Sequence, residues 1–276
     1  MPRILLILFS IVLFASCSMN NIEEDDSLEK YFAKHNTEGT FGMFDNGSGR
    51  FTIYNLGRFR DSLYTPASTF KVVNSLIGLH TGVVNSENEK YQWDGITRSI
   101  PEWNQDLTMD QAFRASAVPW FQQLARKIGK DTMQYWLDSI GYANQFKKPV
   151  ITAQNLDTFW LDNSVRVSAD EQLGLMKRLY FDQLPFQKRV HRVVKQMMLQ
   201  EDNANYKLSY KTGFGITHLG TQIGWVVGFI EENRHIYPFV LQMESKDRNF
   251  NMVPVRVEVL KEILKQYVKT LVERQS

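Results

Sequence analysis

Hydrophobic and polar positions along the chain fall into zones of different periodicity. Residues 40–44 and 50–54 are strand-like and flank a turn rich in Gly, Asn and Asp, so they predict a β-hairpin after a short helix at 28–35. From about 108 to 195, apolar residues recur at intervals of three and four, which predicts helices, and Ser168 opens one of them with a capping-box pattern. β-Rich sequence then returns in the runs 206–212, 221–230 and 235–243.

This order of elements predicts an α/β protein of the α+β type. We expect an antiparallel sheet assembled from both chain ends, with the terminal helices on it and an all-α subdomain inserted at about 85–195. The last helix should start at Pro254 and run to about residue 271, while Pro238 places the last β-run at an edge or a bulge. A groove between the sheet and the helical insertion is the natural ligand site.

A serine and a lysine lie one helical turn apart where a strongly apolar helix should begin. Residues 70–79 are apolar nearly all round, which predicts a buried central helix. Pro66 suits the first turn of this helix, and Thr65 is the expected N-cap. Ser68 and Lys71 share one face, so the amine can take the hydroxyl proton. Free N–H groups of the first turn favour a developing negative charge there.

The beginning of the chain resembles a bacterial lipoprotein signal. A basic residue precedes an apolar run at 4–14 that is short for a transmembrane helix, and small residues lead to Cys17, the only cysteine. We expect residues 1–17 to be a signal peptide with Cys17 lipidated, the alternative being ordinary cleavage nearby. Residues 18–26 are polar and acidic, which predicts a flexible tether. The domain at 27–276 is then exported to the periplasm, tethered to the membrane through the lipid, and free of disulfides.

Composition and charge argue against several classes of protein. The 276 residues, 43% of them hydrophobic, are enough for a sizeable core. A net charge of +2 without a long basic run gives no sign of a nucleic-acid partner. The five histidines lack ligand spacing, so we predict no metal site. A second Ser-x-x-Lys, at Ser27 and Lys30, is interpreted as the solvated face of a short helix.

Two further clusters supply what the Ser68 nucleophile lacks. A hydroxyl at Ser116, bridged to the Lys211 ammonium, can relay a proton to a leaving nitrogen. Gly213 allows a substrate to approach the strand edge closely, and the backbone N–H groups of Ser68 and Phe214 can form an oxyanion hole.

Taken in this order, these motifs resemble those of the penicillin-recognising serine enzymes, and specifically the class D (oxacillinase-type) serine β-lactamases. The resemblance runs from about Leu28 to the terminal helix. It implies a β-lactamase/penicillin-binding transpeptidase-like fold and hydrolysis of β-lactam antibiotics through a serine acyl-enzyme. The motifs are Ser68-Thr69-Phe70-Lys71, Ser116-Ala117-Val118, Phe159-Trp160-Leu161, Lys211-Thr212-Gly213 and Gly224-Trp225-Val226-Val227-Gly228.

The resemblance also implies a role for each residue of the site. Ser68 is the acylated nucleophile, and Lys71, carboxylated on Nζ by carbon dioxide, is the general base of both half-reactions. No other cofactor is implied. Trp160 holds the carbamate through its indole N–H, and Val118 keeps the lysine pocket apolar. The remaining roles are proton transfer by Ser116 and Lys211, substrate binding by Thr212, Gly213 and Phe214, and binding of the substrate carboxylate by Arg256.

Elementary electrostatics supports the carbamate. An amine surrounded by Phe70, Val118 and Trp160 is desolvated, so its pKa falls and the neutral form that attacks carbon dioxide is favoured. Asp157 or Asp162 is a rival deacylation base, with a mechanism like that of class A enzymes.

Two activities besides β-lactam hydrolysis stay open on the sequence. A cell-wall D,D-peptidase uses the same serine chemistry, and a β-lactam sensor is acylated without turnover.

The element Tyr142-Ala143-Asn144 departs from the Tyr-Gly-Asn common in the family, and Ala143 is strained if that position needs a positive φ. The sequence is compatible with a monomer or a dimer.

Overall fold

A computed structural model describes residues 21–145 and 147–268. The predicted signal peptide with Cys17, and residues 18–20 of the predicted tether, lie outside the described residues. Within the described ranges, no helix is long and apolar enough to cross a membrane.

Seven strands of the described chain form one sheet in the order β1-β3-β2-β9-β8-β7-β6. All neighbouring pairs are antiparallel except β1 and β3, which are parallel. Two short strands, β4 and β5, pair separately. The strands are β1 (Ile22–Glu24), β2 (Glu38–Asp45), β3 (Arg50–Tyr54), β4 (Lys90–Tyr91), β5 (Leu107–Thr108), β6 (Leu199–Asp202), β7 (Tyr206–Ile216), β8 (Gln222–Glu232) and β9 (His235–Ser245).

Helices pack on both faces of this sheet and fill the middle of the chain. Three short 3-10 helices, at Asp26–Leu28, Ala67–Phe70 and Pro101–Trp103, accompany the α-helices. The α-helices are α1 (Glu29–Ala33), α2 (Leu56–Asp61), α3 (Lys71–His80), α4 (Met109–Arg114), α5 (Val118–Ile128), α6 (Lys130–Ile140), α7 (Ala169–Tyr180), α8 (Lys188–Met198) and α9 (Met252–Tyr267).

Several elements are those that the local pattern predicts. The hairpin forms as β2 and β3, and the Asp45 carboxylate accepts hydrogen bonds from the Gly47 N–H and the Ser48 hydroxyl within its turn. Helix α3 is buried over nearly its whole length. Ser168 opens α7 with the expected capping box.

The sheet is buried on both faces, and alternate residues of β8 point to opposite cores. Trp225 and Val227 pack into the larger core with α3, α5 and α7. Val226 and Ile230 pack into the smaller core with α1 and α9. Because side chains alternate between the two faces of the strand, a single sheet packs against both layers of helices.

The prediction of a flexible tether is wrong for residues 22–24. These residues form β1, in parallel register with β3 from Ile22–Phe51 to Glu24–Ile53. A three-residue edge strand is held by backbone hydrogen bonds, so its polar sequence carries no periodic signal.

Two further predictions on the fold need correction. Strand β9 lies at the centre of the sheet, without the edge or bulge expected from Pro238. The pairing of β9 with β2 ends at Met43–Phe239, so Pro238 lies just beyond it. The N–H that proline lacks is therefore not needed for a hydrogen bond to β2. Helix α7, inside the predicted all-α insertion, packs directly on β2, β8 and β9.

Candidate active site

The turn that carries Ser68 is a 3-10 helix leading into α3. Ser68 Oγ and Lys71 Nζ are 2.7 Å apart, as the shared helix face predicts. The predicted N-cap is wrong, because Pro66 occupies that position and makes no side-chain cap. The Thr65 hydroxyl instead donates to the backbone carbonyl of Trp160 at 2.9 Å.

This turn is locally strained and is held by contacts from distant segments. Ala67 has φ +48, a left-handed conformation that is uncommon outside glycine. The Ala67 N–H donates to the Trp160 carbonyl at 2.9 Å, so that carbonyl accepts two hydrogen bonds from the turn. The Trp225 indole donates to the Thr65 carbonyl at 3.0 Å. Together these bonds hold the half-buried Ser68 in place for reaction.

Lys71 is fully buried and has no acidic partner among the described residues. Burial lowers the pKa of its amine well below the usual range, and the positive charge of Lys211 lowers it further. The Phe121 ring lies 5.6 Å from Nζ. An apolar setting of this kind stabilises the neutral amine. Val118 is half-buried at the start of α5.

Trp160 is fully buried, and its indole N–H has no hydrogen-bond partner within residues 21–145 and 147–268. The ring stacks on Phe70 with centroids 5.2 Å apart and meets Phe159 edge-on at 5.0 Å. An unpaired buried donor is costly, which suits a site that receives an acceptor group. Within the described part of the chain, the Trp160 indole N–H is therefore available to such an acceptor.

Ser116 and Lys211 come together as the sequence predicts. Lys211, on β7, donates from Nζ to the Ser116 hydroxyl at 3.0 Å and to the Thr212 carbonyl at 3.1 Å. Ser116 has φ +54 in the bend between α4 and α5. Burial, with the nearby positive charge of Arg256, lowers the pKa of Lys211 to about 7.

Gly213 lets the nucleophile turn approach β7 closely. A Cβ at this position would lie 3.0 Å from the Pro66 carbonyl oxygen and 3.1 Å from the Thr69 methyl. Arg256, on α9, is buried and donates to the Gly213 carbonyl. Burial lowers the pKa of Arg256 to about 10, which leaves the guanidinium charged at neutral pH. Phe214 follows Gly213 and is exposed.

The rival carboxylates are engaged elsewhere. Asp157 pairs with Arg126. Burial raises the pKa of Asp162, but hydrogen bonds from Ser164 and Thr158 outweigh it, so the pKa lies below its usual value. A weak base that is bound to its own loop is poorly suited to deacylation.

Two expectations outside the catalytic cluster agree with the structure. Ser27 and Lys30 are exposed, as predicted for the second Ser-x-x-Lys pattern. Ala143 has φ +56, so the strain expected at this position is present. No cluster of metal-ligating side chains occurs within the described ranges.

One residue of the site carried no signal in the sequence. Gln172, on α7, donates from Nε2 to the Thr69 hydroxyl at 2.7 Å. The two residues are 103 positions apart, so no local pattern links them.

Comparisons with known proteins agree with this geometry. A family model described as the penicillin binding protein transpeptidase domain matches residues 31–265. The chain is 36% identical to β-lactamase OXA-48 of Klebsiella pneumoniae, covering 88% of this chain and 89% of that protein. It is 38% identical to the probable β-lactamase YbxI of Bacillus subtilis, covering 84% and 81%.

A solved structure supports the same assignment. The class D β-lactamase FUS-1 of Fusobacterium nucleatum superposes with a TM-score of 0.81 at 32% identity, covering 88% of this chain and 98% of that one. The chain belongs to the penicillin-binding transpeptidase-domain family and, within it, to the class D serine β-lactamases. The fold class predicted from the sequence is thereby confirmed.

Proposed function

We propose that this protein hydrolyses β-lactam antibiotics through an acyl-enzyme on Ser68, with Lys71 carboxylated on Nζ as the general base. The observation that carries this proposal is the fully buried Lys71 amine, 2.7 Å from the Ser68 hydroxyl and without an acidic partner in the described part of the chain. Only a neutral amine attacks carbon dioxide, and burial favours that form. The carboxyl group, once present, supplies a carboxylate base beside Ser68.

The other residues act on the substrate and on its protons. Ser68 attacks the β-lactam carbonyl, and its own N–H with that of Phe214 stabilises the oxyanion. Lys211, bonded to Ser116 at 3.0 Å, passes a proton through the hydroxyl to the departing ring nitrogen. A Lys211 pKa of about 7 suits this exchange at neutral pH.

Substrate recognition falls to the strand beside the nucleophile. Thr212, Gly213 and Phe214 lie on β7, opposite Val226, Trp225 and Gly224 of β8. We assign binding of the substrate carboxylate to Arg256, whose hydrogen bond to the Gly213 carbonyl ties the cation to this strand. Val118 contributes an apolar side chain at the start of α5.

Steady-state turnover of a chromogenic cephalosporin, with and without added bicarbonate, tests the proposal. We expect sustained turnover that falls when carbon dioxide is removed and recovers when bicarbonate is restored. Ser68→Ala should abolish turnover under both conditions. Full activity in carbon dioxide-free buffer would contradict the role of Lys71.

A sensor function is the second candidate, because the chain is also 31% identical to the regulatory protein BlaR1 of Bacillus licheniformis. The match covers 83% of this chain but only 37% of that protein. A sensor gives one burst of product equal to the enzyme concentration and then stops. A D,D-peptidase instead releases D-alanine from a peptidoglycan peptide.

Export with a lipid anchor on Cys17 is part of the same proposal. It is supported by the apolar run and small residues before Cys17 in the sequence. Globomycin should cause the precursor to accumulate, and mass spectrometry should find a diacylglyceryl-modified Cys17. A mature N-terminus without Cys17 would rule out the anchor.

A further inference from the structure

The hydrogen bond from Gln172 to Thr69 is the start of a directed chain. Gln172 is 2% exposed on α7, and its Nε2 donates to the Thr69 hydroxyl at 2.7 Å. The same hydroxyl lies 2.7 Å from the Pro66 carbonyl oxygen. A hydroxyl has one proton and a carbonyl has none, so Thr69 must accept from Gln172 and donate to Pro66.

This chain ends at the contact between the nucleophile turn and the substrate-binding strand. The Pro66 carbonyl oxygen and the Thr69 methyl are the two nearest atoms to a Cβ built on Gly213, at 3.0 and 3.1 Å. Ser68 lies between Pro66 and Thr69 in the sequence, and Lys211 precedes Gly213 by two residues. The orientation of the Pro66 carbonyl therefore affects the spacing between the nucleophile and β7.

We infer that Gln172 is a positioning residue for acylation of Ser68. It holds the Thr69 hydroxyl in the direction that fixes Pro66, and thereby the distance from Ser68 to β7. The inference rests on the proposed serine reaction, but not on carboxylation of Lys71. Small displacements of a reacting group cost large factors in rate, so loss of this bond should lower the acylation rate.

Gln172→Met tests the inference, because methionine has similar length but no donor. In single-turnover acylation at saturating bicarbonate, we expect the rate constant to fall about five- to tenfold, the effect of one lost buried hydrogen bond. Gln172→Glu should lower it further, because an ionised carboxylate competes for the Thr69 proton and releases Pro66.

A matched control separates positioning from stability. Gln242 is also a fully buried glutamine, and its Nε2 donates to the Met243 carbonyl at 3.0 Å on β9. Gln242→Met should lower the melting temperature to a similar extent and leave the acylation rate unchanged. The bicarbonate concentration for half-maximal activity should be unchanged in Gln172→Met.

A double-mutant cycle identifies the path of the effect. Thr69→Val should lower the acylation rate constant as Gln172→Met does. The double variant should be no slower than Thr69→Val alone, because both changes break the same chain of hydrogen bonds. Thr69→Ser keeps the hydroxyl and should retain the wild-type rate. An unchanged acylation rate in Gln172→Met, or losses that multiply in the double variant, overturns the inference. Bicarbonate independence of the wild-type enzyme would count against carboxylation of Lys71 only, since these experiments measure acylation of Ser68 directly.

Discussion

Replacement of Trp160 by phenylalanine separates the indole N–H from the packing of the ring. The buried ring stacks on Phe70, at 5.2 Å between centroids, and a phenyl ring can keep that contact. The N–H has no partner in the described part of the chain. Trp160→Phe therefore removes one hydrogen-bond donor and a moderate volume, and leaves the Lys71 amine in an apolar pocket.

The size of the effect follows from the hydrogen bond that the proposed mechanism assigns to this N–H and a carboxylated Lys71. A hydrogen bond to a charged group is worth about 1.5–3 kcal/mol, and a factor of ten in affinity corresponds to about 1.4 kcal/mol. In the proposed mechanism the wild-type protein gains this bond when Lys71 is carboxylated, whereas Trp160→Phe cannot form it. We expect bicarbonate to be bound about 10- to 100-fold more weakly by the variant.

The assay is a bicarbonate titration of cephalosporin turnover, together with carbon-13 NMR of the protein in labelled bicarbonate. The half-saturating concentration should rise in Trp160→Phe, with turnover partly recovered at high bicarbonate. Trp120→Phe is the matched control, because its buried indole donates to the Leu107 carbonyl and not into the lysine pocket. Equal half-saturation in wild type and Trp160→Phe would refute the reasoning.

Three further predictions concern the pocket, its charge and the sheet. If Val118 keeps the lysine pocket apolar, as the proposed mechanism requires, Val118→Asp should hold Lys71 as an ammonium and lower turnover at least about a hundredfold at saturating bicarbonate. Full activity of this variant would contradict that role of Val118. Folding lowers the pKa of Lys211 from 10.5 to about 7, so between pH 7 and pH 10.5 the unfolded chain binds more protons than the folded protein. The free energy of unfolding should therefore rise with pH across this range. Measured by urea unfolding from pH 7 to 9, the free energy of unfolding should rise less with pH in Lys211→Met than in the wild-type protein. An equal dependence on pH in the two proteins would contradict the lowered pKa of Lys211. Gly228→Ala should destabilise the folded protein by about 3 kcal/mol or more, because the new Cβ would overlap the Ser209 carbonyl oxygen. Gly57→Ala is the control, since no atom lies near its Cβ, and it should leave stability unchanged. Calorimetry compares the two variants.

Features that depend on contiguous residues were predictable from the sequence. The hairpin needs only two β-rich runs and a turn, and the capping box of α7 needs only Ser168 and Glu171. The contact between Ser68 and Lys71 follows from helical geometry alone. The joint presence of the distant motifs identified the family, because each of them is weak by itself.

Features that depend on contacts between distant segments were not predictable. Gln172 reaches Thr69 only because α7 packs on the sheet beside the nucleophile turn. The positive φ at Ala67 contradicts the preference of alanine, and it persists because the Trp160 carbonyl binds the Ala67 N–H. Strand β1 has too few residues to show alternation.

The two buried lysines of the site repel each other electrostatically. The positive charge of Lys211 lowers the pKa of Lys71, so a change of charge on Lys71 must act on Lys211 in return. Carboxylation replaces a neutral amine with an anion, and an anion nearby favours the ammonium form of Lys211. The pKa of Lys211, about 7 beside a neutral Lys71, should therefore rise when bicarbonate is added. Nitrogen-15 NMR of the lysine side chains, titrated with and without bicarbonate, measures this change. In Lys71→Met bicarbonate should have no effect, and a Lys211 pKa that stays the same in the wild-type protein would show that its charge does not respond to Lys71.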